Sequence, residues 1–167
     1  SLFTSSKDEE AAKEFICYGS YDAVVVVADA TCLERNLNLA FQIAEITDNI
    51  ILCVNLIDEA KKKNIIIDKE GIENQLGIPI VLTSARNGIG MKDLKNKIEN
   101  MVENKNKYKP NIIKYTYEIE ESIEHIVPYL EEMNVSNLRW TALRLLDSDE
   151  SIFSHELKNN LSYSQAV

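Results

Sequence analysis

The stretch that decides the fold is residues 50–58, Ile-Ile-Leu-Cys-Val-Asn-Leu-Ile-Asp, in which an apolar run leads directly into the polar segment Asn55 to Asp58. Two similar apolar runs occur at residues 23–28, Ala-Val-Val-Val-Val-Ala, and at residues 78–82, Ile-Pro-Ile-Val-Leu. None of the three alternates with polar residues, which is typical of strands buried on both faces of a parallel sheet. The runs therefore predict an α/β fold built on a parallel sheet.

Helical patterns lie between and around these predicted strands. Thr31 and Glu34 have the spacing of a capping box ahead of the first crossover helix, and Ser6 with Glu9 has the same spacing near the start of the chain. Asp68 is expected to cap a helix that ends near Gly77. Two apolar stripes at helical spacing are Leu33, Leu37, Ala40, Phe41 and Ala44, and then Met91, Leu94, Ile98, Met101 and Val102.

A change in composition at residues 103–111 marks the predicted domain boundary. Charged and amide residues run up to Pro110, and every apolar pattern beyond it is helical. We expect an α/β domain over residues 1–106 and a small all-α domain over residues 107–167. The later stripes are Ile119, Ile123, Ile126, Val127 and Leu130; then Leu138, Ala142, Leu145 and Leu146; then Ile152, Phe153, Leu157 and Leu161.

Composition narrows the class of protein. The 167 residues carry a net charge of -9 and their basic residues are scattered, which disfavours a nucleic-acid partner. No apolar run approaches the ~18 residues of a transmembrane helix. The three cysteines have no CxxC spacing, which favours a reducing compartment. Because the first residue is Ser1 rather than Met, we expect the native chain to begin upstream.

The segment Asn55-Leu56-Ile57-Asp58 has the chemistry to read guanine. A single carboxylate at Asp58 can accept both the N1–H and the N2–H₂ of guanine, a donor pair that adenine lacks. Asn55 could bond guanine N7 and connect neighbouring loops, while Leu56 could cover the purine ring. Asp58 would therefore supply selectivity for guanine.

A second segment, Ser84-Ala85-Arg86, follows the third predicted strand. Its Ala85 N–H could donate to guanine O6, and its Ser84 hydroxyl could support the Asp58 carboxylate. Arg86 could stack against the base or simply be an exposed loop residue, and the pattern favours neither. Both segments lie at the carboxyl ends of parallel strands, where open α/β sheets bind ligands. No GxxxxGK[ST] phosphate loop occurs in the 167 residues.

Other polar residues have simpler interpretations. Asp29, at the end of the first predicted strand, is expected to accept bonds from loop amides ahead of Thr31. His125 and His155 have no neighbours at the spacing of metal ligands, so we expect no metal site. The acidic residues at 118–124 are expected to form a solvated helix face. We assign no catalytic residue within this chain.

Three stretches together resemble the G domain of the ferrous iron transport protein B family. They are residues 26–37 (VVADATCLERNL), 55–60 (NLIDEA) and 76–86 (LGIPIVLTSAR), and Leu56 in place of the common Lys is normal in that family. Residues 1–6 with Glu9 and Glu10 are similar to the segment after the family's DxPG switch. Residues 139–146 are similar to its helical domain, which slows nucleotide release.

The resemblance implies a three-layer, Ras-like P-loop GTPase fold that is incomplete at its N-terminus, followed by a helical, GDI-like domain. It implies GTP and GDP as ligands, with Mg²⁺ ligands, phosphate loop and DxPG turn expected upstream of Ser1. Of the family's nucleotide contacts, Asn55, Asp58, Ser84, Ala85 and Arg86 are present. The parent would hydrolyse GTP at the cytoplasmic face of the bacterial inner membrane and control Fe²⁺ uptake by its own transmembrane permease domain. This chain alone is expected to be inactive as a GTPase.

Two other functions share parts of the pattern. A stand-alone translational or tRNA-modifying GTPase would carry the same two segments, but it needs a basic appendage that the acidic helical region does not provide. A non-enzymatic module could use the α/β unit as a scaffold and the helices to bind a partner. An open sheet edge would also favour a homo-oligomer.

Overall fold

The computed structural model describes residues 7–104, 108–111, 114–135 and 137–146. The chain divides into two compact units, Ser1–Ile113 and Lys114–Val167. The boundary between residues 106 and 107 stays a prediction. The expected capping box at Ser6 and Glu9, and the apolar stripe at residues 152–161, lie outside the described residues.

The first unit is built on a three-stranded parallel sheet, as the apolar runs predict. Its strands are β1 (Val24–Asp29), β2 (Ile50–Asn55) and β3 (Ile80–Leu82), in the order β1-β2-β3. Asp29 pairs with Asn55 at the end of the β1–β2 register, and Val54 pairs with Leu82 in the β2–β3 register. The carboxyl ends of the three strands therefore meet at one edge of the sheet.

The third strand begins two residues later than the apolar run suggests. Pro79 has no N–H to donate, so it contributes only its carbonyl, which accepts from the Leu52 N–H at 3.0 Å. The Ile80 N–H bonds to a side chain, Oε1 of Glu73, at 2.8 Å. Regular pairing consequently starts at Ile80 rather than at Ile78.

Five helices and two short 3₁₀ turns are described in this unit. The turns are Ala30–Cys32 and Ala85–Asn87; the helices are α1 (Lys7–Tyr18), α2 (Leu33–Ala44), α3 (Ile57–Lys62), α4 (Lys69–Leu76) and α5 (Met91–Glu103). Helix α5 packs on the sheet through Met101, which is buried against Ile51 and Val81. Helices thus connect consecutive parallel strands, as a βαβ arrangement requires.

Two of the predicted helix signals have different outcomes. The Asp68 cap of α4 is confirmed, because its Oδ1 accepts from the Gly71 N–H at 2.9 Å, and Gly77 ends the helix with φ of 67°. The capping box at Thr31 and Glu34 is wrong. Thr31 lies inside the 3₁₀ turn, whose N-cap is Asp29, and α2 begins after Cys32 without a side-chain cap.

The second unit is helical in the part that the structure describes. It contains α6 (Tyr117–Glu132) and α7 (Leu138–Leu146), which share a small apolar core. Glu120 and Arg139 join the two helices by a bidentate ion pair, with both nitrogen-to-oxygen distances 2.8 Å. The buried core residues are Ile123, Leu130, Val135 and Ala142.

Within the described residues, no helix combines the length and the apolar character needed to span a bilayer.

Candidate functional site

The carboxyl ends of β2 and β3 are held side by side by backbone hydrogen bonds. The Thr83 N–H donates to the Val54 carbonyl at 2.8 Å, and the Ile57 N–H donates to the Thr83 carbonyl at 3.2 Å. These bonds continue the pairing past the last residues of the strands. They bring the segment 55–58 against the segment 84–86, as the strand-end placement predicts.

Asp58 and Ser84 are in direct contact. The Ser84 hydroxyl donates to Asp58 Oδ1 at 2.8 Å, which confirms the predicted support of this carboxylate. Ser84 is buried, whereas Asp58 is partly exposed at the start of α3. The bond from Ser84 is the main cause that holds the pKa of Asp58 below its ordinary value. Asp58 is therefore a charged acceptor at neutral pH.

Asn55 connects the two loops through its side-chain oxygen. Its Oδ1 accepts from the Thr83 hydroxyl at 3.1 Å and from the Ala85 N–H at 3.0 Å. Its Nδ2 makes no hydrogen bond within the described part of the chain. The two bonds to Oδ1 therefore orient the Asn55 side chain, and its Nδ2 is available to donate to a ligand.

The Ala85 N–H has an internal acceptor in this structure. It is engaged with Asn55 Oδ1, and so a ligand oxygen would have to share it or take it over. Ala85 itself is exposed, so the N–H lies at an accessible surface. Arg86 is exposed in the same 3₁₀ turn, directly after Ala85, and within the described residues its side chain makes no hydrogen bond or ion pair with the other four predicted site residues.

Leu56 adopts an unusual backbone conformation between Asn55 and α3. Its φ of 63° and ψ of 32° are left-handed, a region that costs a residue with a Cβ roughly 1–2 kcal/mol. The residue is 37% exposed, so it has an accessible surface two positions before Asp58. Strain of this kind persists where surrounding contacts impose it, and it is often found at functional sites.

Sequence reasoning missed two residues of this cluster. Thr83 is fully buried and bonds to Asn55, and the Asn87 amide donates to both Asp58 and Ser84. The Asn87-Gly88 pair is a turn signal, but a turn signal does not identify which group the Asn side chain will contact.

Asp29 lies at the end of β1, and its expected role is confirmed. Its Oδ1 accepts from the Thr31 N–H at 2.7 Å, and this bond is the main cause of a lowered pKa. The carboxylate therefore caps the 3₁₀ turn.

The groups around Asp58 do not form a set of ligands suited to Mg²⁺, which prefers six oxygens in an octahedral arrangement. Asp58 is the carboxylate of this cluster, and Ser84 and Asn87 donate to its two oxygens. In the described residues, no group of three or more His, Cys, Asp or Glu side chains could hold a metal ion.

Comparison with protein families gives two matches along the chain. Residues 1–98 match the family model described as ferrous iron transport protein B, and residues 115–164 match the one described as the FeoB cytosolic helical domain. The Fe(2+) transporter FeoB of Salmonella typhimurium is 30% identical over 165 residues, covering 97% of this chain and 21% of that protein. The Fe(2+) transporter FeoB of Escherichia coli K12 is 30% identical over 145 residues, covering 87% of this chain and 18% of that protein. The chain spans about a fifth of the length of these relatives.

Solved structures of similar proteins have the same fold. The cytosolic domain of the T. maritima FeoB iron transporter in its GMPPNP form is 34% identical, with a TM-score of 0.85, and the match covers 95% of this chain and 63% of that chain. Its GDP form II is 33% identical with a TM-score of 0.84 over the same shares. The cytosolic domain of L. pneumophila FeoB is 26% identical, with a TM-score of 0.82, covering 96% of this chain and 64% of that chain.

Proposed function

This chain belongs to the ferrous iron transport protein B family, as part of its cytosolic G domain with the adjoining helical domain, and on that premise we propose that it reads the guanine base of GTP and GDP. The residues that would contact the nucleotide are Asn55, Asp58, Ser84, Ala85 and Arg86. The phosphates would be bound by groups other than these five.

The observation that carries the proposal is the supported carboxylate of Asp58. It is ionised, partly exposed and fixed by a 2.8 Å bond from the buried Ser84 hydroxyl. The N1–H and N2–H₂ of guanine are adjacent donors that one carboxylate can accept together. Adenine has no such pair, so it would displace water from the carboxylate without supplying donors in its place, which is unfavourable.

The neighbouring groups complement the other edge of guanine. Asn55 Nδ2, which has no acceptor among the described residues, would donate to guanine N7. The Ala85 N–H would turn from Asn55 Oδ1 to guanine O6, while Thr83 continues to donate to that Asn55 oxygen. Leu56 would cover one face of the ring, and Arg86 would stack against the base.

The role in the whole protein follows from the family. We propose that the parent hydrolyses GTP and that the hydrolysis controls Fe²⁺ uptake through a transmembrane permease domain of the same protein. Relatives crystallised in GDP and GMPPNP forms support guanine nucleotide as the ligand. Mg²⁺ would accompany the phosphates, since metal ions neutralise the charge that develops during phosphoryl transfer. No step of that hydrolysis is assigned to the residues of this chain.

Location and assembly belong to the same proposal. The domain would act at the cytoplasmic face of the bacterial inner membrane. A homo-oligomer is part of the proposal because β1 is an edge strand of the described sheet, and unpaired strand edges favour association between chains. No nucleic-acid partner is proposed, because the net charge of -9 opposes binding to a phosphate backbone.

Nucleotide titration followed by amide NMR tests the base-reading role, because it detects weak as well as tight binding. GDP is expected to shift the Ala85 backbone amide and the Asn55 side-chain amide, whereas ADP at the same concentration is not. Asp58→Asn should weaken GDP binding on the order of 100-fold, since two bonds to a charged acceptor are lost, and should favour xanthosine diphosphate.

Asp93→Asn is the matched control. Asp93 is an exposed acid in the first turn of α5, outside the cluster, and its substitution should leave GDP binding unchanged. Equal responses to GDP and ADP in the unmodified chain would contradict the proposal. So would an unchanged preference for GDP over xanthosine diphosphate in Asp58→Asn.

A further inference from the structure

We infer that Asn87 is a positioning residue that sets the orientation of the Asp58 carboxylate for the purine, an inference that rests on the proposed function. The Asn87 side-chain nitrogen donates to Asp58 Oδ2 at 3.2 Å and to Ser84 Oγ at 2.8 Å. Ser84 in turn donates to Asp58 Oδ1 at 2.8 Å. The three side chains therefore form a closed ring of hydrogen bonds.

This ring restrains the carboxylate at both oxygens. Ser84 alone would anchor Oδ1 and leave the group free to rotate about its terminal torsion, which is broad for Asp. The second donor, from Asn87, acts on Oδ2 and removes that freedom. A carboxylate has about four acceptor sites, and Ser84 and Asn87 each use one of them, so the group can accept further donors. Guanine would donate its two adjacent N–H groups to the oxygens of this oriented carboxylate.

The chemistry of the amide suits this task. One Asn nitrogen carries two hydrogens, so it can donate to Asp58 and Ser84 at once without adding a charge. Donation into Ser84 Oγ also polarises that hydroxyl toward Asp58, because linked hydrogen bonds strengthen one another. An Asp at position 87 would have the same shape but would place a second negative charge beside Asp58.

The backbone holds Asn87 in place for these contacts. Asn87 is the last residue of the 3₁₀ turn, and its N–H donates to the Ser84 carbonyl at 2.9 Å. Gly88 then leaves the turn with φ of 70°, a conformation that glycine adopts without steric cost. Because Asn87 is exposed, its bonds compete with water and contribute little to folding. We therefore expect Asn87 to affect the site more than it affects stability.

Titration of the Asp58 side-chain carbon by NMR tests the contact without any nucleotide. Asn87→Ala should raise the pKa of Asp58 because a donor to the charged form is lost. Asn87→Asp should raise it further through repulsion between the two carboxylates. Asn96→Ala, an exposed Asn on α5, is the control and should leave the titration unchanged.

GDP titration of the same variants tests the consequence for binding. Loss of one donor to the carboxylate should weaken GDP binding about 3- to 10-fold in Asn87→Ala, with the urea midpoint close to that of the unmodified chain. Asn87→Asp should weaken binding more, although it preserves the shape of the side chain. Unchanged GDP binding in both variants would overturn the inference, and so would an unchanged Asp58 titration.

The two readouts separate this inference from the proposed function. GDP binding that depends on Asp58 but is indifferent to Asn87 would refute the positioning role and leave the proposed function intact. An unmodified chain that fails to respond to GDP would refute the proposed function and, with it, any role of Asn87 in base binding. The Asp58 titration would then still decide whether Asn87 holds the carboxylate.

Discussion

Two glycines that flank Ile89 offer a matched test of how the loop after β3 is built. Gly88 has φ of 70° and Gly90 has φ of 75°, so both lie in the left-handed region. A Cβ added at Gly88 would have no atom within 4 Å. A Cβ added at Gly90 would lie 2.1 Å from the Leu82 carbonyl oxygen and 3.1 Å from Thr83 Cγ2. The same substitution therefore meets open space at one position and the backbone at the other.

The expected cost of each change follows from these distances. Gly88→Ala should lower the free energy of unfolding only through the left-handed backbone, by roughly 1–2 kcal/mol. Part of this loss is offset because alanine restricts the unfolded chain. Gly90→Ala pays the same and must also displace the Leu82 carbonyl, which is backbone and cannot turn aside. Overpacking of this kind adds about 1–3 kcal/mol. The free energy of unfolding should thus fall by at least ~1 kcal/mol more for Gly90→Ala.

Urea unfolding followed by circular dichroism gives the comparison, with both variants measured beside the unmodified chain. The amide NMR signals of Ser84 and of the 3₁₀ turn that follows it should show the same difference, because Leu82 and Thr83 directly precede this turn. Gly90→Ala should shift the amide signals of Ser84 and Ala85, and Gly88→Ala should shift them less. Equal losses of unfolding free energy in the two variants would refute the reasoning, since it would mean that the Leu82 carbonyl does not limit position 90.

Two further predictions concern single side chains. Glu73→Ala should lower the free energy of unfolding by about 1–3 kcal/mol, because it removes the acceptor of the buried Ile80 N–H. The control is Glu70→Ala, on the exposed face of α4, which should change this free energy by less than about 0.5 kcal/mol. Equal losses in the two variants would contradict the role of Glu73. The Arg139 guanidinium, followed by the Tyr115 N–H, lowers the pKa of Glu120 from 4.5 to about 2, so its stabilisation is complete above pH 4.5 and is lost as the pH falls toward 2. Melting temperatures measured from pH 6 to pH 2 should therefore fall less steeply in Glu120→Gln than in the control Glu121→Gln, and identical slopes would count against the ion pair.

Much of the α/β unit could be predicted because its signals are local. Apolar runs without alternation identify buried parallel strands, and Asp68 and Gly77 mark the ends of α4 through bonds to residues within one helical turn. The predicted capping box at Thr31 was wrong because a different local hydrogen bond competes with it. Thr31 has the spacing of a cap, but Asp29 reaches the Thr31 N–H first and turns the chain into a 3₁₀ turn.

The sequence predicted which main residues of the candidate site lie together, but it did not predict all of the hydrogen bonds between them. Parallel strands place their carboxyl ends together, so Asp58 and Ser84 could be expected to meet although 26 positions separate them. The bond from Asn87 to Asp58 depends on the exact path of a turn. The engagement of the Ala85 N–H with Asn55 depends on the distance between two loops.

Residue pattern alone was sufficient for the fold class, the two strand-end segments of the candidate site and the family, because hydrophobic periodicity and short motifs lie in contiguous residues. Tertiary structure alone decided which groups donate to the Asp58 carboxylate and whether the Asn55 side-chain nitrogen is available to a ligand. It also decided that the Leu82 carbonyl leaves no room for a Cβ at position 90. Those features depend on contacts of about 3 Å between residues distant along the chain. Distances of that size are determined only when the strands and turns have packed together.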